Sequence, residues 1–498
     1  MAGDPEAPVR ATKARGFMPS WPLLLALVAV LRTLAEPRSV LGDPDTYLHI
    51  AAGRWALVHR TLPIHDPFSH TMAGKIWIPH EWLAEVIMAA IYYGLAGWQG
   101  LVLMTAALFA VAMAILTRRL LRYGEPLSTA ILAFATAVTL LPHLLARPHI
   151  LALPVMVVWT AELFEARDAG RRPSPIILPL MTLWANLHGG YMFGVALTLY
   201  LAVEAVVFPG AQGRRREASG WARFFGLTLV ASLITPLGLG GLLQPLRMVA
   251  MPAMLASVSE WQSPNFQGLQ PLELWLLGAI FIGFSTGVRL PISRLLLLLG
   301  LFHLSLQHVR HADLLCIVGP LAIGASLGPR IAKLVRSDPP SVVAVLARRL
   351  AAPARPPALL LALGLCGVAG LAFGLQPLPR ADSDSRPAAA VAAAGRMGLS
   401  GPVFNTESFG GYLIFNGIPT YIDGRFELYG DDFLKSYLKA VGGREPALTE
   451  ALDGHGVTWT LLSPGEGAVA QLDHRPGWRR VYTDPVAVIH VRQDGTKP

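Results

Sequence analysis

Apolar runs of roughly 16 to 20 residues recur along the chain from Trp21 to Phe373. A bilayer core of about 30 Å takes roughly 20 helical residues to cross, and a lipid-exposed segment has to satisfy its own backbone polar groups. Among 498 residues, 53% are hydrophobic and only 15% are charged, which is more apolar surface than one soluble core could bury. We therefore predict a polytopic α-helical membrane protein.

Short basic clusters separate these runs, and the positive-inside rule places such clusters in the cytoplasm. They are Arg10/Lys13/Arg15, Arg118/Arg119/Arg122, Arg167/Arg171/Arg172, Arg214/Arg215/Arg216, Arg289/Arg294 and the stretch from Arg330 to Arg355. Because they lie between apolar runs rather than along one face, the net charge of +9 indicates topology and no nucleic-acid partner. The two cysteines, Cys316 and Cys366, lie within apolar runs and form no disulfide framework.

An even number of crossings between successive basic clusters requires about eleven helices. They are predicted at 19–36, 99–117, 127–142, 150–166, 174–187, 190–208, 222–237, 271–287, 295–308, 312–328 and 357–376. An even number of crossings between basic clusters is kept only if residues 81–95 lie in the membrane interface or form a re-entrant segment. It also requires residues 238–256 to remain on the outer side of the membrane. The predicted organisation is a cytoplasmic N-terminus (1–18), a transmembrane domain (19–376) and an extracytoplasmic tail (377–498).

The sequence of the tail predicts a small α/β domain. Short strand-like runs at Tyr412–Phe415, Thr420–Ile422 and Val457–Leu462 alternate with a helical pattern at Asp432–Val441. The tail has no Gly-rich nucleotide loop and no nucleophile elbow. We expect it on the non-cytoplasmic side, because an odd number of crossings precedes it.

The first outer loop (37–98) carries the most specific signal, an acidic element, Asp43-Pro44-Asp45, directly after the first apolar run. An Asp-Pro-Phe turn follows at Asp66, and the segment Trp77 to Leu83 contains His80 and Glu81. The chain also contains Trp-Ala-Asn-Leu-His-Gly-Gly (184–190), Gly-Gly-Tyr (410–412) and Ile-Asp-Gly-Arg (422–425). With these motifs the chain resembles a bacterial branch of the GT-C superfamily of multipass membrane glycosyltransferases.

The resemblance implies a polyprenyl-phosphate sugar donor and a lipid-linked, protein or polysaccharide acceptor on the outer face of a bacterial inner membrane. It also implies that the catalytic base is Asp43 or Asp45. Such a transfer needs a carboxylate to deprotonate or orient the acceptor hydroxyl and cations to stabilise the departing phosphate. Five residues on the predicted outer side are candidate phosphate ligands: Arg147, His149, His188, Arg310 and His311.

These assignments have structural alternatives. Asp45 could simply cap the helix that follows it, and Arg147 and Arg310 could be paired structural charges, the latter near Asp313. Six residues are weaker candidates for substrate binding: His80, Glu81, Asn186, Glu260, Asp423 and Arg425. For Asp423 and Arg425 the alternative is that the two side chains simply pair with each other.

A divalent metal, Mg²⁺ or Mn²⁺, is a further candidate, because hard cations prefer oxygen ligands. Asp45 and Asp66 are the candidate ligands, with Glu81 beside them, but no dense carboxylate cluster demands a metal. The histidines lack the spacing of a zinc site. Two other functions fit the same sequence, a transporter or flippase for a polar lipid and a non-catalytic envelope scaffold descended from an enzyme.

Overall fold

A computed structural model of the chain describes residues 17–209, 214–335, 341–378 and 380–493. The predicted cytoplasmic N-terminus lies almost entirely outside these ranges, including its basic cluster Arg10, Lys13 and Arg15. Helices dominate up to residue 375, and a small α/β unit follows. The predicted architecture of a mostly helical chain with an α/β tail is therefore confirmed.

The helical part follows the hydropathy pattern closely. Within the described residues its helices are α1 (Trp21–Ala35), α2 (Pro37–Val40), α3 (Asp45–His59), α4 (Trp82–Ile91), α5 (Gly97–Leu120), α6 (Pro126–Leu140), α7 (Pro148–Asp168), α8 (Leu178–Leu187), α9 (Tyr191–Val207), α10 (Arg214–Ser232), α11 (Gly238–Val249), α12 (Pro252–Ser257), α13 (Pro271–Thr286), α14 (Ile292–Gln307), α15 (Ala312–Leu334), α16 (Val342–Ala351) and α17 (Pro356–Leu375). Each of the eleven predicted segments overlaps one of these helices.

Length and composition identify the helices that suit a bilayer. Five helical segments among the described residues are long and apolar enough to cross one: Trp82–Leu120, Pro126–His143, Pro148–Asp168, Val309–Leu334 and Pro356–Leu375. Shorter apolar helices accompany them at Trp21–Ala35, Pro175–Leu187, Tyr191–Val207, Pro271–Thr286 and Ile292–Gln307. The chain is a membrane protein, and the predicted number of crossings stays a prediction.

The stretch 81–95 is helical. The 10-residue α4 continues through a π-helical turn, Tyr92–Ala96, into α5. Gly97 joins them with φ 56° and ψ −135°, a backbone conformation that favours glycine. At 1.5 Å per residue α4 spans only about 15 Å, so by itself it is too short to cross a bilayer core.

The core of the helical part lies where α1 and α7 pack against α5, and α9 packs against α10. Large side chains such as Trp159, Trp184, Trp221 and Phe109 are fully buried there. The indole of Trp159 donates a hydrogen bond to the carbonyl oxygen of Gly194 on α9 at 3.3 Å. This contact holds α7 against α9.

The tail forms a four-stranded mixed sheet in the order β1-β2-β4-β3. The strands are β1 (Val403–Asn405), β2 (Trp459–Leu462), β3 (Trp478–Thr483) and β4 (Val488–Arg492). β1 and β2 are parallel, whereas β4 is antiparallel to β2 and to β3. The helices are α18 (Ala388–Arg396), α19 (Gly410–Phe415), α20 (Phe426–Tyr429), α21 (Asp431–Val441), α22 (Ala447–Gly454) and α23 (Gly467–His474).

Two of the strand predictions for the tail are wrong. Tyr412–Phe415 belongs to helix α19, and Thr420–Ile422 is an irregular segment in which only Thr420 makes an isolated bridge, to Ser69. An apolar run this short has no periodicity that distinguishes a strand from a buried helical turn. The predictions at Val457–Leu462 and Asp432–Val441 are confirmed by β2 and α21.

The tail packs directly on the first outer loop. The Thr420 backbone N–H donates to the carbonyl oxygen of Phe68 at 3.1 Å, and the His70 N–H donates to that of Thr420 at 3.0 Å. A Cβ atom added to Gly411 would lie 2.4 Å from the carbonyl oxygen of Pro44, so only glycine permits this approach. The Gly-Gly-Tyr motif thus presses α19 against the acidic element of the loop.

Candidate active site

A cavity of about 410 Å³ opens where the first outer loop, the ends of several helices and the tail meet. One wall is apolar and includes Leu153, Met156, Met192, Phe193 and Leu314, whereas ionisable groups line the remainder. Ten of the predicted site residues line it: Asp45, His80, Glu81, Arg147, His149, His188, Glu260, Arg310, His311 and Arg425. Residues as far apart in sequence as Asp45 and Arg425, 380 positions, therefore converge on one cavity.

Asp43 and Asp45 have different environments. The Asp43 carboxylate accepts a hydrogen bond from the Asp45 backbone N–H at 2.8 Å, so Asp43 satisfies a free amide at the start of α3. The alternative that Asp45 caps this helix is therefore wrong, because Asp43 does so. Asp45, the first residue of α3, faces the cavity, whereas Asp43 does not line it.

Arg147 is surrounded by carboxylates. Its guanidinium lies 3.1 Å from Asp43 Oδ2, 3.0 Å from Asp45 Oδ2 and 2.6 Å from Glu260 Oε1. Arg147 is the residue immediately before Pro148, with which α7 begins, and its extended backbone directs the chain toward the loop. Its charge is already balanced, so the structure favours a paired charge here over the predicted phosphate ligand.

Burial controls the protonation of two carboxyl groups in this region. Burial raises the pKa of Asp45 to about 6, although the Arg147 guanidinium opposes the shift. Burial also raises the pKa of Glu407 to about 8, and the neighbouring charges of Asp45, Asp423 and Asp43 act in the same direction. At neutral pH, Asp45 is therefore largely ionised and basic enough to accept a proton.

Arg310 lies beside Glu260 in the same cavity and is less engaged than Arg147. Its guanidinium is 3.7 Å from Glu260 Oε2 and stacks on the Trp261 ring at 4.5 Å. The alternative partner Asp313 instead pairs with His143 at 2.7 Å. The buried Nδ1 of His311 has no hydrogen-bond partner among the described residues. This side offers an arginine and an imidazole to a ligand.

Two further predicted histidines, His149 and His188, line the cavity. The Nε2 of His149 lies 2.9 Å from the carbonyl oxygen of His143, which leaves its Nδ1 as the other polar atom. His188 Nε2 is 3.5 Å from Glu81 Oε1. Burial lowers the pKa of His188 to about 3, so its imidazole is neutral at pH 7 and serves as a hydrogen-bonding group rather than a cation.

His49 and Glu85 also line the cavity, although the sequence did not single them out as site residues. His49 Nδ1 is 3.2 Å from Glu85 Oε1, and the Glu81 carboxylate lies nearby. Burial by itself lowers the pKa of His49, but the Glu85 hydrogen bond and the surrounding carboxylates raise it above the ordinary value. The spacing of Asp45 and His49, one helical turn apart, was a signal that could have identified His49.

The tail contributes the turn Gly424, Arg425 and Glu427 to the wall of the cavity. A Cβ atom on Gly424 would lie 2.1 Å from Asp45 Oδ1, so the turn touches the carboxylate. The Trp77 indole donates to Glu427 Oε1 at 3.2 Å. Glu427 and Trp77 were not predicted as site residues, because they become neighbours only when the tail docks on the loop.

Asp423, Arg425 and Asp66 form a buried ion-pair cluster. Arg425 lies 2.7 Å from Asp423 Oδ1 and 2.6 Å from Asp66 Oδ1, and Tyr429 donates to Asp423 Oδ2 at 2.6 Å. The alternative that Asp423 and Arg425 pair is therefore confirmed. Asp423 does not line the cavity, so its predicted contact with substrate is not supported.

Asn186 is another predicted residue that lies outside the cavity. Its amide nitrogen donates to the carbonyl oxygens of Thr182 and Ile234 at 2.7 and 3.0 Å, and its oxygen accepts from the Trp82 indole at 2.8 Å. The bond to Thr182 lies within α8, whereas the other two join α8 to α4 and to the residues that follow α10. These bonds give Asn186 a structural role, and its predicted contact with substrate is not supported by the lining of this cavity.

The candidate metal ligands do not converge. The Asp66 oxygens accept hydrogen bonds from Arg425 and from Ser69, and Asp45 is bonded to Arg147. In the part of the chain that the structure describes, no group of three or more His, Cys, Asp or Glu side chains is arranged to hold a metal ion. A requirement for Mg²⁺ or Mn²⁺ stays a prediction.

Known structures share this architecture, although no protein-family model and no curated protein matches the sequence. The apo oligosaccharyltransferase of Archaeoglobus fulgidus superposes with a TM-score of 0.54 at 10% identity. The oligosaccharyltransferase AglB of the same organism, in complex with an inhibitory peptide and a dolichol-phosphate, gives 0.53 at 12% identity. In both cases 89% of this chain and 69% of the other are covered.

A third structure is ArnT from Cupriavidus metallidurans bound to undecaprenyl phosphate, with a TM-score of 0.48 at 15% identity over 96% of this chain and 98% of ArnT. The oligosaccharyltransferases are membrane glycosyltransferases of the GT-C superfamily. At these identities the likeness concerns the fold alone. The two oligosaccharyltransferase structures, with TM-scores of 0.54 and 0.53, confirm the predicted GT-C-like fold.

Proposed function

We propose that this protein is a membrane glycosyltransferase that moves a sugar from a polyprenyl-phosphate donor to an acceptor hydroxyl. The observation that carries the proposal is the placement of Asp45. It is a carboxylate with a pKa of about 6 that lines the same cavity as Arg310 and His311. A base and an anion-binding group in one cavity are what glycosyl transfer from a phosphate requires.

The step follows from this arrangement. The acceptor oxygen attacks the anomeric carbon of the sugar, and Asp45 takes the proton from the acceptor hydroxyl. The bond between the anomeric carbon and the phosphate oxygen breaks, and its electron pair leaves with the phosphate. Arg147 keeps Asp45 oriented through the 3.0 Å contact and is a positioning residue.

Arg310 and His311 supply the stabilisation of the leaving phosphate. A guanidinium held on the Trp261 face is prepared for two hydrogen bonds to phosphate oxygens. The unpartnered Nδ1 of His311 adds a third contact. His149 and His188 also line the cavity and are the secondary candidates.

The apolar wall suits the lipid part of such a donor. Side chains from α7, α9 and α15, among them Met156, Phe193 and Leu314, line it and continue into the helical part of the molecule. The dolichol-phosphate complex of a protein with the same fold supports a donor of this class. A donor delivered through the membrane reaches the cavity without crossing water.

The location and the acceptor are part of the proposal. The distribution of the basic clusters supports a location of the cavity and the tail on the outer face of a bacterial inner membrane. A lipid-linked, protein or polysaccharide acceptor would enter from the side of the tail.

A Mg²⁺ or Mn²⁺ requirement is tested by assaying transfer with EDTA and after adding back each ion.

The experiment is a transfer screen with the purified full-length protein in nanodiscs. A panel of polyprenyl-phosphate sugars is incubated with membrane extract, and products are identified by mass spectrometry. We expect transfer with the unaltered protein and with Asp432→Asn, whose side chain is fully exposed, and no transfer with Asp45→Asn. An intact protein that transfers no sugar from any donor would contradict the proposal and favour lipid transport or scaffolding.

A further inference from the structure

The imidazole of His49 presents an unused polar atom to the cavity. Its side chain is only 9% exposed, and Nδ1 is engaged with Glu85 at 3.2 Å. The buried Nε2 has no hydrogen-bond partner among the described residues, and the nearest carboxylate oxygen, on Glu81, is 3.8 Å away. Since buried polar atoms in folded proteins nearly always have a partner, this nitrogen is available to a ligand.

Two short helices hold this atom in place. Asp45 and His49 are one turn apart on α3, and Glu81 and Glu85 are one turn apart at the start of α4, so the two pairs face each other. One turn further along α3, a Cβ atom on Gly53 would lie 1.9 Å from the carbonyl oxygen of Glu85. This close approach brings the helices near enough for Glu85 to orient the imidazole.

The charges divide the cavity into two halves. Carboxylates dominate around His49, with Glu81 directly before α4, Glu85 on α4 and Asp45 on α3. The other half contains Arg310 and His311, where Glu260 pairs with Arg310 at 3.7 Å. A phosphate beside His49 would meet three carboxylates, whereas a sugar hydroxyl both donates to a carboxylate and accepts from an imidazole.

We propose that His49 and Glu81 bind hydroxyl groups of the transferred sugar, and that Glu85 is the positioning residue for His49. This inference rests on the proposed function and assigns the sugar and the phosphate to separate halves of the same cavity. His49 donates from Nε2 to a sugar oxygen, and Glu81 accepts from a sugar hydroxyl. The charge that the surrounding carboxylates favour on His49 strengthens this donor.

A binding experiment separates the two halves without requiring activity. The affinities for undecaprenyl phosphate alone and for undecaprenyl-phosphate glucose, galactose and mannose are measured for the full chain in nanodiscs. His49→Asn retains an amide nitrogen near the place of Nδ1 and removes Nε2. His49→Gln instead places an amide near Nε2. His59→Asn is the matched control, since His59 is exposed at the end of α3.

We expect His49→Asn to weaken binding of the sugar-carrying lipid about tenfold, the loss of one charge-assisted hydrogen bond, and to leave undecaprenyl phosphate within about twofold. His49→Gln should restore part of the loss, and His59→Asn should change neither affinity. Glu81→Gln provides the same comparison if His49→Asn does not fold.

Equal weakening of both lipids, or no weakening of either, would overturn the inference while leaving the proposed function in place. An unaltered protein that binds sugar-carrying lipid no better than undecaprenyl phosphate would also overturn it. Failure of the unaltered protein to bind any of these lipids would overturn the proposed function as well. A loss confined to the sugar-carrying lipid supports the separate sugar subsite.

Discussion

Asp43 and Asp45 are two residues apart, but the fold gives them different tasks. Asp43 bonds the first amide of α3 and Arg147, whereas Asp45 bonds Arg147 and faces the cavity. The sequence identified the pair and left open which carboxylate is the base. Only the direction of each side chain distinguishes them, and that depends on the turn at Pro44 and on the position of Arg147.

The pKa of Asp45 predicts the pH dependence of transfer. A general base has to be ionised, so kcat/KM should be constant above the pKa of about 6 and fall about tenfold per pH unit below it. The profile is measured between pH 4.5 and 8 with the protein in nanodiscs, after its stability at each pH has been verified. A rate that is unchanged down to pH 4.5 would show that Asp45 is not the base.

Arg310→Gln tests the phosphate half of the cavity. Loss of the guanidinium should weaken binding of polyprenyl phosphate at least about tenfold, because a hydrogen bond to a charged group contributes about 1.5 to 3 kcal/mol. Arg330→Gln is the control on the same helical segment, where the exposed guanidinium bonds the carbonyl oxygen of Gly287. Equal affinities for the two variants would assign phosphate binding to other residues.

At the scale of elements, hydropathy predicted the helices well. An apolar run long enough to cross a bilayer satisfies its own backbone hydrogen bonds only as a helix. The short elements of the tail were predicted less well. Tyr412–Phe415 is apolar enough for a strand, yet Gly410 and Gly411 let α19 pack closely against Ile422 and Pro44. Contacts between segments that are distant in sequence determine whether such a short run becomes a strand or a helix. These contacts cannot be inferred from local sequence patterns.

The crossing of α3 and α4 depends on Gly53. In Gly53→Ala the added Cβ would lie 1.9 Å from the Glu85 carbonyl oxygen, so the helices must separate and thermal stability should decrease by several degrees. Gly226→Ala is the matched control within helix α10, because nothing lies within 4 Å of its Cβ. The control should preserve or raise the melting temperature, since alanine favours a helix. An equal melting temperature for Gly53→Ala would contradict the close crossing.

At the scale of the whole molecule, the site exists only where the first outer loop and the tail are in contact. The sequence named Asp423 and Arg425 in the tail as candidates for substrate binding, and Gly424 between them does touch Asp45. It did not predict that Asp66 would join Asp423 and Arg425 in one buried cluster. The two parts of this cluster are about 360 residues apart, and each shows ordinary turn residues locally.

The buried cluster predicts a large loss of stability when one partner is removed. Asp66→Asn leaves Arg425 short of a counter-charge and should cost about 3 to 5 kcal/mol, so the tail should become sensitive to proteases. Lys435→Gln is the control, because its exposed pair with Asp431 contributes at most about 1 kcal/mol. Limited proteolysis and thermal unfolding measure both variants. Equal resistance would mean that the cluster does not hold the tail on the loop.

The central claim is that Asp45 acts on the acceptor and not on donor binding. Its most direct test compares Asp45→Asn with the unaltered protein in single-turnover transfer and in polyprenyl-phosphate binding. The claim predicts that transfer falls at least about a hundredfold while the affinity for the lipid phosphate stays within about threefold. Transfer that persists in the folded variant, or a loss of binding as large as the loss of transfer, would contradict it.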